Sequence, residues 1–217
     1  MYQATYSELR RSARLSLNGN WGKAIGGTLL LFAVILAVYF IPFIGLIVAI
    51  ASPLITGAIV LGLSSFYMGI ARGEIIYVSE VFSGFGDFWR AMRLYLLVLM
   101  FTLLWTLLFY IPGIIAGYRY SMSFMILRDN PEIGAMEAIR RSKQLMAGNK
   151  FRLFVLQLTF LGWRILGMLT LGIGYIWLIP YEAITTVHFY DDLLGKGRNQ
   201  TPPPLEPFNY DLTKPSM

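Results

Sequence analysis

Charged residues stranded inside apolar segments are the first candidates for chemistry in this chain. The last two apolar segments meet at Thr170-Leu171-Gly172-Ile173-Gly174, and Arg164 and Glu182 stand nine residues before and nine after Ile173. In a hairpin, equal distance from the turn means equal depth. At 1.5 Å of rise per residue both side chains lie roughly 13 Å from the tip, near the middle of a bilayer. An unpaired charge there costs at least ~2.5–3.5 kcal/mol on insertion scales, so an ion pair is expected. Arg119 lies seven residues past Pro112, about 10 Å from its own turn, and either joins the pair or snorkels. Two arginines and one glutamate could hold an anion or a phosphate headgroup. The competing reading is a buried pair that fixes helix register.

Other reactive groups are sparse. His188 is the single histidine, and it precedes Asp191 and Asp192 at helical spacing. A metal needs more ligands than this, so a local hydrogen bond or ion pair is expected and no metal site. There is no cysteine, hence no disulfide, thiolate ligand or cysteine nucleophile. No phosphate-binding glycine loop, no His-Glu-x-x-His and no Gly-x-Ser-x-Gly occurs. The chain is therefore not expected to be an enzyme, and no cofactor is implied.

Most of the remaining bases sit where they could meet lipid headgroups. Met1 to Asn20 carries Arg10, Arg11 and Arg14, with Leu9, Leu15 and Leu17 as an apolar side. That pattern suits an amphipathic helix lying on a bilayer. A second such helix is expected from Pro131 to Ala147, with Ile133, Met136, Ile139 and Met146 on one side and Arg140, Arg141 and Lys143 on the other or at its border. Asn130-Pro131-Glu132 looks like its start, with a capping side chain, a first-position proline and an acid in the first turn. Lys150 and Arg152 follow its glycine stop. Arg10, Arg11, Arg140, Arg141, Lys143, Lys150 and Arg152 are thus the expected headgroup-binding set.

The elements that must carry these residues are apolar helices. Ala24 to Ala71 is forty-eight residues without an Asp, Glu, Lys, Arg or His. A helix crosses the hydrocarbon layer in about 20 residues, so the run reads as two crossings and a turn at Pro42. It also exceeds the ~7–15 residues of a signal-peptide core, so the first helix is expected to stay in the protein. The composition agrees, with 56% hydrophobic and 14% charged residues against the roughly 25% charged of soluble domains. The expected fold is all-α, a polytopic membrane bundle of about six helices in three hairpins. Helices are expected at 23–41, 53–72, 88–111, 113–128, 151–169 and 175–193, with interfacial segments at 1–22 and 131–147. Residues 195–217, opened by Gly195-Lys196-Gly197-Arg198 and Pro202-Pro203-Pro204, read as a disordered tail.

Three junctions resemble one another: Gly19-Asn20-Trp21-Gly22-Lys23, Gly86-Asp87-Phe88-Trp89-Arg90 and Gly148-Asn149-Lys150-Phe151-Arg152. Each reads glycine, Asn or Asp, a nearby aromatic and a base at the fifth position, as a repeated unit would. The expected hairpin tips at 42–52, 112–113 and 170–174 carry no charge, while the opposite ends carry nearly every Lys and Arg. By the positive-inside rule those ends and both termini face the cytoplasm. The spacings Gly22-x-x-x-Gly26, Gly69-x-x-x-Gly73 and Gly113-x-x-x-Gly117 would permit close helix approach.

Several segments resemble the bacterial integral membrane proteins known as domain of unknown function 975. They are Ala71-Arg72-Gly73-Glu74, Phe82-Ser83-Gly84-Phe85 and a long stretch from Asn130-Pro131 through Glu137-Ala138-Ile139-Arg140-Arg141-Ser142. That stretch continues through Phe160-Leu161-Gly162-Trp163 and Leu169-Thr170-Leu171-Gly172 to Ile179-Pro180-Tyr181. The resemblance implies a multi-spanning protein of the bacterial cell membrane and no assigned activity. It extends distantly to the membrane region fused to some glycerophosphodiester phosphodiesterases, whose catalytic domain this chain does not carry. The leading expectation is a non-enzymatic scaffold or accessory subunit that binds anionic lipid headgroups or a partner, either another protein or a second copy, without nucleic acid. The alternative is a small transporter of an anionic or lipid-like substrate, using Arg119, Arg164 and Glu182.

Overall fold

A computed structural model describes residues 3–39 and 44–195. The expected turn at Pro42 and the tail from Lys196 onward lie outside these residues. The described residues are all-α, with no strand among them. Ten helices follow in order: α1 Tyr6–Leu17, α2 Trp21–Tyr39, α3 Ile44–Arg72, α4 Phe88–Leu108, α5 Tyr110–Tyr120, α6 Ser123–Asp129, α7 Ala135–Leu145, α8 Lys150–Leu158, α9 Leu161–Leu169 and α10 Tyr175–Leu193. A 3-10 segment, Val78–Phe85, separates α3 from α4.

Among the described residues, three stretches are long and apolar enough to cross a membrane: Ser52–Arg72, Phe88–Leu108 and Lys150–Leu169. A fourth arises if α1 and α2, bent by 89° at their junction, count as one.

α1 starts with a reciprocal cap. Glu8 accepts from the Thr5 backbone N–H at 2.6 Å, while the Thr5 hydroxyl accepts from the Glu8 N–H at 3.4 Å. Such a box satisfies two of the donors that a helix start leaves orphaned. Leu9, Ala13 and Leu17 are fully buried, one face of a helix at spacing four, packed toward α10 and α3.

α3 extends well beyond the expected start at Pro53, which lies inside it. Proline removes one backbone hydrogen bond, and the uncharged sequence on both sides keeps the helix going. The 3-10 segment then returns along α3 with backbone against backbone. A Cβ on Gly62 would lie 2.0 Å from the Val81 carbonyl oxygen, and one on Gly84 would lie 2.0 Å from the Ala58 oxygen. A Cβ on Gly57 would reach the Ala91 oxygen of α4 at 2.4 Å. Of the three spaced glycine pairs, only Gly69 and Gly113 are crowded in this way, by Ile76 and Thr106. Gly22, Gly73 and Gly117 meet nothing within 4 Å, and Gly26 is in ordinary contact with Val78.

Several expected boundaries move. α4 ends at Leu108, and Phe109 is extended (φ −157°, ψ 141°), so Pro112 falls in the first turn of α5, where its missing N–H costs nothing. The expected helix 113–128 is broken at Ser121-Met122 into α5 and α6. Asn130 closes α6 instead of opening the next helix, its side-chain amide donating to the Ile126 carbonyl at 2.8 Å. α7 therefore begins only at Ala135, behind Gly134. The expected helix 151–169 is interrupted at Thr159-Phe160, where the Thr159 hydroxyl takes the Leu156 carbonyl at 2.7 Å. α10 matches the expected 175–193, with Pro180 inside it.

The tight core lies toward the charged helix ends, where Phe66, Met68, Leu94, Leu127, Phe189 and Tyr190 are buried. The uncharged helix ends are open: Leu36 is 60%, Leu107 87% and Leu171 95% exposed.

Candidate functional site

The densest polar constellation gathers where α3, α6 and α10 end. Arg72 closes the apolar run of α3, Asp129 closes α6, and Asp191 lies in the last turn of α10. The Arg72 guanidinium donates to both Asp129 oxygens at 2.7 and 2.9 Å, and to both Asp191 oxygens at 2.7 and 3.2 Å. The planar fork of arginine makes this double bidentate geometry possible. The Tyr190 hydroxyl adds a bond to Asp129 at 3.3 Å, and Arg128 pairs with Glu74 at 2.7 Å. All three central side chains are largely shielded, at 17%, 13% and 10% exposure. Beside them, the Ser16 hydroxyl lies 3.0 Å from His188 Nε2 and donates to the Ala71 carbonyl at 3.2 Å. His188 is thus held by α1 and does not pair with its neighbouring aspartates. Asp129 and Asp191 both face Arg72, and among the described residues no three His, Asp or Glu side chains converge as metal ligands would.

Arg152 and Asp192 form a second joint. They pair at 2.7 Å and clasp the start of the chain: Asp192 accepts from the Ala4 N–H at 3.1 Å and Arg152 donates to the Ala4 carbonyl. The Arg152 guanidinium lies 5.2 Å over the Phe189 ring. Arg152, expected at the headgroups, is 12% exposed and paired inside the chain through Nη2, while its Nη1 is buried without a hydrogen-bond partner. Arg90 is likewise structural, donating to the carbonyls of Leu127, Asn130 and Ile133 at the end of α6.

Arg164 and Glu182 are brought together across the last hairpin. Arg164 Nε and Nη2 donate to the two carboxylate oxygens at 2.9 and 2.7 Å. Arg119 does not join them. Its backbone carbonyl accepts from Ser142 of α7 at 2.9 Å, and its side chain has no ion pair among the described residues.

The two amphipathic helices keep their bases outward. Arg11 and Arg14 on α1, and Arg140, Arg141 and Lys143 on α7, are exposed; Arg10 and Lys150 are half-buried. Glu137 pairs with Arg141 at 2.9 Å and with Arg140. Arg141 first, then Arg140, holds the Glu137 carboxyl below the usual carboxylate range.

Each amphipathic helix overlooks a groove. The one beside α1 has a volume of about 530 Å³, with Trp21, Trp163, Trp177 and Tyr181 as wall and Arg10 and Arg14 at its edge. The Tyr181 hydroxyl, donating to the Arg10 carbonyl at 3.3 Å, anchors α1 over it. The one beside α7 has a volume of about 1010 Å³, lined by Phe101, Trp105 and Tyr120 with Glu137, Arg140 and Lys143. Aromatic walls with a few polar groups at the rim are the usual makeup of ligand sites. Sequence reasoning found the bases and missed the grooves, whose walls come from α2, α4, α5, α9 and α10. The signal was present in Trp163 and Trp177, which flank the last turn.

A family model described as a protein of unknown function, DUF975, matches residues 1–116 and 107–197. No curated protein and no solved structure matches the chain.

Proposed function

The chain belongs to the DUF975 family, and from that premise we propose that it is a non-enzymatic, multi-pass protein of the bacterial cell membrane that recruits anionic lipid headgroups as a scaffold or accessory subunit. Its apolar helices form three hairpins inserted from the cytoplasmic side, with both termini in the cytoplasm. One observation carries this reading: α1 and α7 bury one face and expose arginine and lysine on the other, in a molecule whose uncharged hairpin ends are bare. Each base near an anionic surface contributes about 1 kcal/mol of attraction. The transport alternative asks for Arg119 beside Arg164 and Glu182, and Arg119 stands apart from that pair.

The test is the lipid shell. The full-length protein is extracted in polymer-bounded native discs and its lipids are compared with the bulk membrane. Enrichment of phosphatidylglycerol that declines in an Arg11→Glu, Arg140→Glu, Arg141→Glu variant supports the reading. A shell identical to the bulk membrane overturns it.

A further inference from the structure

The headgroup reading concerns a basic surface, and the inference drawn here rests on it but goes further. We propose that the chain carries two discrete, duplicated phospholipid sites, one under α1 and one under α7, in which Arg14 and Lys143 are equivalent phosphate-binding groups.

The duplication shows when Gly19 is aligned with Gly148. Glu8 then meets Glu137, Arg11 meets Arg140, Arg14 meets Lys143 and Asn20 meets Asn149. The structure repeats along with the residues. Both glycines take φ +78°, the left-handed stop that favours glycine. Asn20 and Asn149 each turn the side-chain amide back to the carbonyl four residues earlier, at 3.2 Å in both cases. The buried face of α1, Leu9, Ala13 and Leu17, falls on Ala138, Ser142 and Met146 of α7, all buried. The match continues past the glycine, where buried Ala24 and Leu31 fall on buried Leu153 and Phe160. Convergent helix starts would not reproduce side-chain bonds and burial over two successive helices.

Both copies hold a base, five positions before the glycine, at the edge of an aromatic-walled groove. Among the described residues neither Arg14 nor Lys143 has a carboxylate within ion-pair distance. A cation without a counter-charge beside an apolar wall is complementary to a molecule with an anionic head and a hydrocarbon tail. Both volumes fall near the ~300–1,000 Å³ of ligand sites. A soluble phosphate would satisfy the base and leave the tryptophans and Phe101 bare, so the occupant is an anionic phospholipid. Glu137 already neutralises part of the second site, so the site at Arg14 binds more tightly.

Native mass spectrometry of the full chain released from detergent, titrated with dioleoyl phosphatidylglycerol, phosphatidylcholine or glycerol 3-phosphate, tests this. Two phosphatidylglycerol adducts should saturate first, with several-fold preference over phosphatidylcholine and no retained glycerol phosphate. Arg14→Ala and Lys143→Ala should each leave one adduct and the double variant none, while Arg14→Lys should keep both. An unchanged adduct count in the double variant overturns the proposal, as does equal binding of phosphatidylcholine. The native-disc comparison reads the surface separately: enrichment there with unchanged adducts sinks the two sites alone, and no enrichment sinks the surface reading.

Discussion

Replacing Arg72 with methionine should be among the most damaging single changes in this protein. The side chain joins three helix ends through four hydrogen bonds to Asp129 and Asp191. Methionine retains most of the apolar stem and removes the charge. Two shielded carboxylates, 13% and 10% exposed, then face each other without their shared cation. Arg128, 3.8 Å from Asp129, offers little relief because it is already paired with Glu74. Removing one partner of a buried ion pair costs about 3–5 kcal/mol, and in a chain of this size each kcal/mol shifts Tm by roughly 2–4 °C. A drop on the order of 10 °C is expected by thermal unfolding in detergent. Arg72→Lys should recover only part of it, because an ammonium cannot fork onto two carboxylates. The triple variant Arg72→Met, Asp129→Asn, Asp191→Asn should recover more than half, because no uncompensated charge remains. An Arg72→Met protein melting within about 2 °C of wild type, or a triple variant no better than the single, would refute the reasoning.

Other consequences are equally direct. Gly62→Ala and Gly84→Ala drive a Cβ into backbone carbonyls at 2.0 Å and should cost about 1–3 kcal/mol or more, whereas Gly117→Ala, with open space, should stay within ~0.5 kcal/mol; chemical unfolding compares them. Asp192→Asn and Arg152→Gln release Ala4, so hydrogen exchange should accelerate across α1 and stay slow in α3. For Arg164 and Glu182, a location within lipid makes Arg164→Leu or Glu182→Leu alone cost at least ~2.5 kcal/mol, with the double variant costing less than the sum; a coupling below ~1 kcal/mol in reconstituted protein would place the pair in water.

How much of this was legible beforehand differs from element to element. α10 could be bounded from its apolar content and the glycine turn before it. The Arg164–Glu182 contact followed from equal spacing about Ile173, since hairpin depth is a local quantity. The Arg72 joint was not local. It depends on α6 breaking from α5 at Ser121-Met122, so that Asp129 arrives beside the end of α3. A hint lay in three charges, Arg72, Asp129 and Asp191, each standing at or near the end of an apolar helix. Asn130 was misread because a capping side chain serves a preceding helix end as readily as a following start; only the 2.8 Å bond to Ile126 decides between them. The close packing of Gly57, Gly62 and Gly84 escaped as well, because the partner of an isolated glycine is set by the return path of the 3-10 segment.

Sidedness is the most direct check on the account. The chain has no cysteine, so single cysteines can be placed at Leu171, 95% exposed at the tip of the last hairpin, and at the exposed Lys143 of α7. Intact cells are treated with a membrane-impermeant maleimide before and after permeabilisation. The account predicts that Leu171→Cys labels from outside and that Lys143→Cys labels only once the membrane is opened; labelling of both from the same side would contradict it.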